Sequence, residues 1–148
     1  MDCVFCAIAA GSLPAHLLHE DEHYLVLLDI FPMRPAHVLV ISREHAPYLH
    51  DLSAPARERL LPLAERVAHA LRVAGYGRQG IHLVINDGPA SNQHVPHLHL
   101  HLVPRSAGDL PKLVWRLLTR FLPFGRRALQ ERLAIEAGLL RDALKQGC

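Results

Sequence analysis

Three short apolar-rich runs, near residues 16–20, 24–30 and 37–43, have the length and residue types that strands favour. The acidic Glu20-Asp21-Glu22 between the first two reads as a hairpin turn. Residues 2–10 read as a short helix that Gly11 and Pro14 end. Ser53 and Pro55 mark the start of a longer helix, in which Leu60, Ala64, Val67 and Leu71 recur at helical spacing until Gly75; Pro62 is the one discordant residue. Further strands are expected at Gly80–Asn86 and Pro96–Val103, across a loop rich in Gly, Pro, Ser and Asn. After Gly108 the period becomes helical again, through Leu113, Leu117 and Phe121 and then Leu129, Leu133, Leu140 and Leu144. The expected class is α+β: an antiparallel sheet of about five strands with one long helix packed on it. Residues 1–109 would form that domain, and residues 110–148 a helical extension packed on it.

A chain of 148 residues, 50% of them hydrophobic, is long enough for one domain with a real core. Asp2 and a broken apolar pattern argue against a signal peptide, and no apolar run approaches the ~20 residues of a membrane span. The expected location is the cytoplasm. Cys3 and Cys6, spaced C-x-x-C, fit a reducing compartment better than a disulfide framework, and Cys148 stands alone at the end. Charge is uneven: seven basic against ten acidic residues through position 104, and nine against four from 105 onward. Arg105, Lys112, Arg116, Arg120, Arg126 and Arg127 in the basic part would either attract an anionic ligand or form a solvated helix face.

The chemistry concentrates in His97-Leu98-His99-Leu100-His101. On a strand, alternation sends the imidazoles to one face at roughly 6 to 7 Å intervals and the leucines into the core. Such a row fits an ordinary polar face, a catalytic metal held by imidazoles, or phosphoryl transfer through a histidine nucleophile. Cys3-x-x-Cys6 alone fits both a redox pair and a metal knuckle.

With Leu102-Val103 following, the pentapeptide resembles the signature of the histidine triad (HIT) family of nucleotide hydrolases and transferases. The likeness extends to Cys3-Val4-Phe5-Cys6-Ala7-Ile8, to Asp29-Ile30 with Pro32 and Pro35-Ala36-His37-Val38-Leu39-Val40-Ile41, and to Asn86-Asp87-Gly88 through Gln93. These ordered motifs cover roughly residues 1 to 109. A histidine at the third triad position, where related transferases carry glutamine, favours hydrolysis.

The resemblance implies a covalent nucleotidyl-histidine at His99, with His101 donating to the phosphate or leaving group and His97 beside them. It implies that His37 orients a triad ring, that Asp29 accepts the ribose hydroxyls, and that Val4, Phe5, Leu27 and Ile30 enclose the purine. Asn86 and Gln93 correspond to phosphate-contacting amides. His94 departs from the pattern, because relatives often carry serine or threonine there; an imidazole could assist the leaving group in its place. Zinc-binding bacterial-type members take two further ligands from positions that match His45 and His97, which implies a structural Zn2+ on Cys3, Cys6, His45 and His97, with His50 as the rival of His45. No organic cofactor is implied. His16, His19, His23, His69 and His82 have no motif around them and are assigned to surface or strand-edge positions.

The substrates implied are purine nucleotides: diadenosine polyphosphates, nucleotidyl-amines or adenylylated molecules. Pro104-Arg105 and Gly108-Asp109 look more like the dinucleoside polyphosphate hydrolase branch. A homodimer is expected, as relatives commonly are, and neither nucleic acid nor a membrane is an expected partner. The alternatives are a nucleoside phosphoramidase, a deadenylase of nucleic-acid ends, and a nucleotide-binding protein without turnover.

Overall fold

Every apolar run assigned to a strand pairs into one sheet in the computed structural model, which describes residues 3–146; Cys148 lies outside them. Strands β1 (Leu17–Glu20), β2 (Tyr24–Leu28), β3 (Val38–Ser42), β4 (Gly80–Ile85) and β5 (His99–Arg105) form an antiparallel sheet in the order β1-β2-β3-β5-β4. Helices α1 (Val4–Ala9), α2 (Ala54–Val73), α3 (Leu110–Thr119) and α4 (Arg126–Gln146) surround it. The β1-β2 turn closes on Asp21, whose Oδ1 accepts the backbone N–H groups of His23 and Tyr24.

At β2 and β3 the sheet is covered on both faces, which explains why these strands are buried throughout and almost entirely apolar rather than alternating. On one face Val26, Leu28, Val38, Val40, Leu100 and Leu102 pack with α2 and α4. On the other, Leu25, Leu27, Leu39 and Ile41 pack with Cys3 and Phe5 of the N-terminal segment. Helix α2 tolerates Pro62 because that position is exposed and Leu60, Leu63, Ala64, Val67 and Leu71 supply the buried stripe.

Two expectations need correction. The strand carrying the histidines begins at His99, not Pro96, and His97 stands in irregular chain before it. The extension is two helices with different fates: α4 buries Leu133, Ala137, Leu140 and Leu144 in the main core, whereas α3 buries none of its residues. Among the described residues no helix is long and apolar enough to cross a membrane.

Candidate active site and metal centre

Strand β5 organises the site. Leu100 and Leu102 point into the main core, which sends His99 and His101 to the opposite face, across from Ile41 and Leu39 on β3. Both imidazoles are buried; their ring centroids lie 4.8 Å apart, and the Phe5 ring packs 5.0 Å from that of His99.

Hydrogen-bond partners assign the tautomers. The His97 carbonyl, 2.7 Å from His99 Nδ1, can only accept, so Nδ1 carries the proton and Nε2 keeps its lone pair. His37 Nδ1 accepts the Met33 backbone N–H at 3.1 Å, so the His37 proton sits on Nε2 and is donated to His101 Nδ1 at 2.9 Å. His101 therefore carries its own proton on Nε2. Adjacent rings thus offer a nucleophilic nitrogen and a hydrogen-bond donor.

Burial keeps these rings neutral. It pushes His37 down to about 3, aided by the positive charge of Arg120 and by His99. It pushes His101 to about 3 as well, with His37 and His99 reinforcing the effect and Asp29 opposing it. His99 shifts the same way through burial, against the bond to the His97 carbonyl. A neutral His99 is the form that can attack.

Asp29 follows the end of β2. Its Oδ1 accepts the Phe31 backbone N–H at 2.8 Å. Its Oδ2 is 3.5 Å from His37 Nδ1, a neutral nitrogen already engaged by Met33, so this contact is not an ion pair and Oδ2 is left to accept from a ligand. Asp29, His37 and His101 also lie close enough to hold a cation, but the facing nitrogens of the two histidines are committed to each other.

The second cluster joins Cys3, Cys6, His45 and His97. His45 Nδ1 and His97 Nδ1 are 3.3 Å apart, and Sγ to Nδ1 separations are 3.2 to 3.5 Å. A tetrahedral zinc with ordinary bond lengths would set about 3.3 Å between two nitrogens and about 3.5 Å between sulfur and nitrogen. The donor set and its spacing therefore fit zinc. His97 Nε2 donates to the Ser42 carbonyl at 2.7 Å, which fixes the ring with Nδ1 toward the cysteines. His50 is not in the cluster; it stacks on Tyr48.

With both ring nitrogens engaged, His97 can reach the reacting centre only through its carbonyl, which differs from the expectation of a third ring on the same face. Gln93 also differs: Oε1 accepts the Gly88 N–H and Nε2 donates to the Pro47 carbonyl, so both ends of the amide brace the loop. Asn86 is half-buried just past β4. His94 is exposed, yet near enough to His99 to disfavour its protonation. Phe5 and Leu27 are buried, whereas Val4 and Ile30 are 42% and 46% exposed.

Groups unforeseen from sequence come from backbone and tail. The Met33 N–H and the Ser42 carbonyl set two tautomers. Glu136 of α4 is buried and accepts the N–H of Ala36, which has a φ of +57°. Arg116 donates to the Pro32 carbonyl, so α3 grips the segment between Asp29 and His37. The i, i+4 spacing of Arg116 and Arg120 was the visible signal.

A family model described as HIT domain matches residues 10–108. An uncharacterised HIT-like protein of Mycobacterium tuberculosis is 37% identical over 146 residues, 99% of each chain. An adenosine 5′-monophosphoramidase of Schizosaccharomyces pombe is 36% identical over 105 residues, 71% of this chain and 75% of that protein. A crystal structure of a zinc-bound histidine triad family protein from Mycobacterium smegmatis matches with a TM-score of 0.77 at 38% identity, covering 99% of this chain and 95% of that one.

Proposed function

The chain belongs to the histidine triad family, and from that premise we propose a nucleotide hydrolase that cleaves adenine nucleotide conjugates at the α-phosphate through a covalent nucleotidyl-histidine on His99. The observation that carries the reading is the bond from His99 Nδ1 to the His97 carbonyl, which leaves Nε2 unprotonated in a neutral ring.

In the first step the Nε2 lone pair forms an N–P bond as the bond from phosphorus to the leaving oxygen or nitrogen breaks. The departing group takes its proton from His94 or from water, and the Nε2 proton of His101 stabilises charge on the phosphate oxygens. In the second step water adds to phosphorus and releases a proton to solvent, the N–P bond breaks, and Nε2 regains its lone pair. Asp29 Oδ2 accepts from the ribose hydroxyls. The exposed apolar surface of Val4 and Ile30, with Phe5 and Leu27 beneath, takes the base; Asn86 borders the phosphates.

Cys3, Cys6, His45 and His97 would hold a structural zinc ion, and with four protein ligands they leave no open position for substrate. Their contribution is to fix His97, and through its carbonyl the tautomer of His99. Diadenosine polyphosphates are the preferred substrates in this reading. The name of the Schizosaccharomyces relative favours a second one, in which the bond cleaved is a P–N bond. We place the protein in the cytoplasm as a homodimer, with the outward apolar stripe of α3 as the contact surface.

Rapid-quench intact-protein mass spectrometry with diadenosine tetraphosphate tests the proposal. An adenylate-sized adduct is expected in the wild type and not in His99→Ala. No adduct and no released product would overturn it in favour of a nucleotide-binding protein without turnover.

A further inference from the structure

Helix α3 turns Arg116 toward the protein, where it donates to the Pro32 carbonyl. Pro111, Lys112, Trp115 and Arg116 share one face of the helix and, with Pro32, Arg34 and Arg132, line a cavity of about 540 Å³. That volume is ordinary for a small-molecule site, where drug-sized ligands occupy roughly 300 to 1,000 Å³.

The wall carries a surplus of positive charge. Arg34 is 3.2 Å from Asp109, which also binds Arg105, and Arg132 is 3.4 Å from Glu136. Arg116 donates only to a carbonyl, and Lys112 has no acidic partner among the described residues. Burial weakens the hold of Arg116 on its proton, and the neighbouring charges of Arg132 and Arg120 add to the effect. A bound anion would offset those charges. Beside the cations stands Trp115, 66% exposed, an indole face open to stacking.

We propose that this cavity, separate from the His99 centre, binds a nucleoside 5′-phosphate, with the phosphate held by Lys112, Arg116 and Arg132 and the base stacked on Trp115. The walls on both sides favour a small molecule over a polymer. The segment that forms one wall leads directly into His37, so the two sites share a loop but no ligand-contacting side chain.

Trp115 is the only tryptophan in the chain, which makes it a reporter. Adenosine 5′-monophosphate should quench its fluorescence saturably, inorganic pyrophosphate should compete, and Lys112→Glu should weaken the apparent affinity about tenfold by replacing attraction with repulsion. Asp29→Asn should leave the quench in place. Equilibrium dialysis should count one fewer bound nucleotide per chain in Trp115→Ala than in the wild type. Absence of saturable quenching, a quench that Lys112→Glu leaves unchanged, or one that Asp29→Asn abolishes would overturn the proposal. The inference does not rest on His99 chemistry: failure of the adduct experiment alone would leave these readouts interpretable.

Discussion

His37 Nε2 donates to His101 Nδ1 across 2.9 Å, and this bond decides which nitrogen of His101 carries its proton. Replacing His37 with leucine frees His101 to take either tautomer. Turnover is expected to fall roughly 10- to 100-fold, with a smaller change in KM, because charge stabilisation in the transition state is lost. Gln in place of His37 puts an amide donor near Nε2 and should restore part of the rate; equal kinetics for the Leu and Gln variants would refute this role.

Acid should destabilise the fold through the same pair. His37 and His101 stay neutral down to about 3 when folded, whereas an unfolded imidazole titrates near 6.5. Between those values the unfolded chain binds more protons, so this contribution is complete above about pH 6.5 and is lost as pH falls toward 3. Asp29, His99 and Arg120 are the charged or titratable groups around the pair. Urea midpoints should be lower at about pH 5 than at about pH 7.5, with a shallower decline in a His37→Leu/His101→Leu double variant.

Cys3→Ser should abolish stoichiometric zinc, measured by plasma mass spectrometry on the purified protein. The melting temperature should drop by roughly 5 °C or more, since metal binding free energy is also folding free energy. Unchanged zinc content would remove the metal reading.

Glu136 is buried and accepts the Ala36 N–H at 3.1 Å. Glu136→Ala would strand that donor and cost about 1 to 3 kcal/mol in chemical denaturation. Glu136→Gln keeps an acceptor and should cost less than half as much; indistinguishable variants would show that the bond contributes nothing.

Leu110, Val114, Leu117 and Leu118 form the outward stripe of α3, with Leu118 75% exposed. Leu118→Glu should convert the dimer into a monomer in light scattering at micromolar concentration. A wild-type protein that is already monomeric there would discard the homodimer.

The sheet and the histidine-bearing face of β5 were legible because alternation and residue type coincide there: leucines must be buried, and imidazoles on the opposite face need a purpose. The strand start was misread because His97 Nδ1 turns to the cysteines, a demand from residues more than ninety positions away. The bracing role of Gln93 was not visible because its loop partners, Gly88 and Pro47, are backbone groups with no sequence signature. For α3, the spacing of Leu113 and Leu117 supplied the helical period but not which face would be turned outward, and Leu117 is 45% exposed. The Glu136 to Ala36 bond spans 100 positions and had no local signal.

Helix α4 gives the main core Leu133 and Leu140, among the largest fully buried side chains, and lies beyond the last residue that the family model matches. The span that the family model matches and the span that the core requires are therefore different lengths here. Trimming this protein to residues 10–108 would not isolate a smaller domain; it would open the hydrophobic interior from the side and make aggregation the first observable.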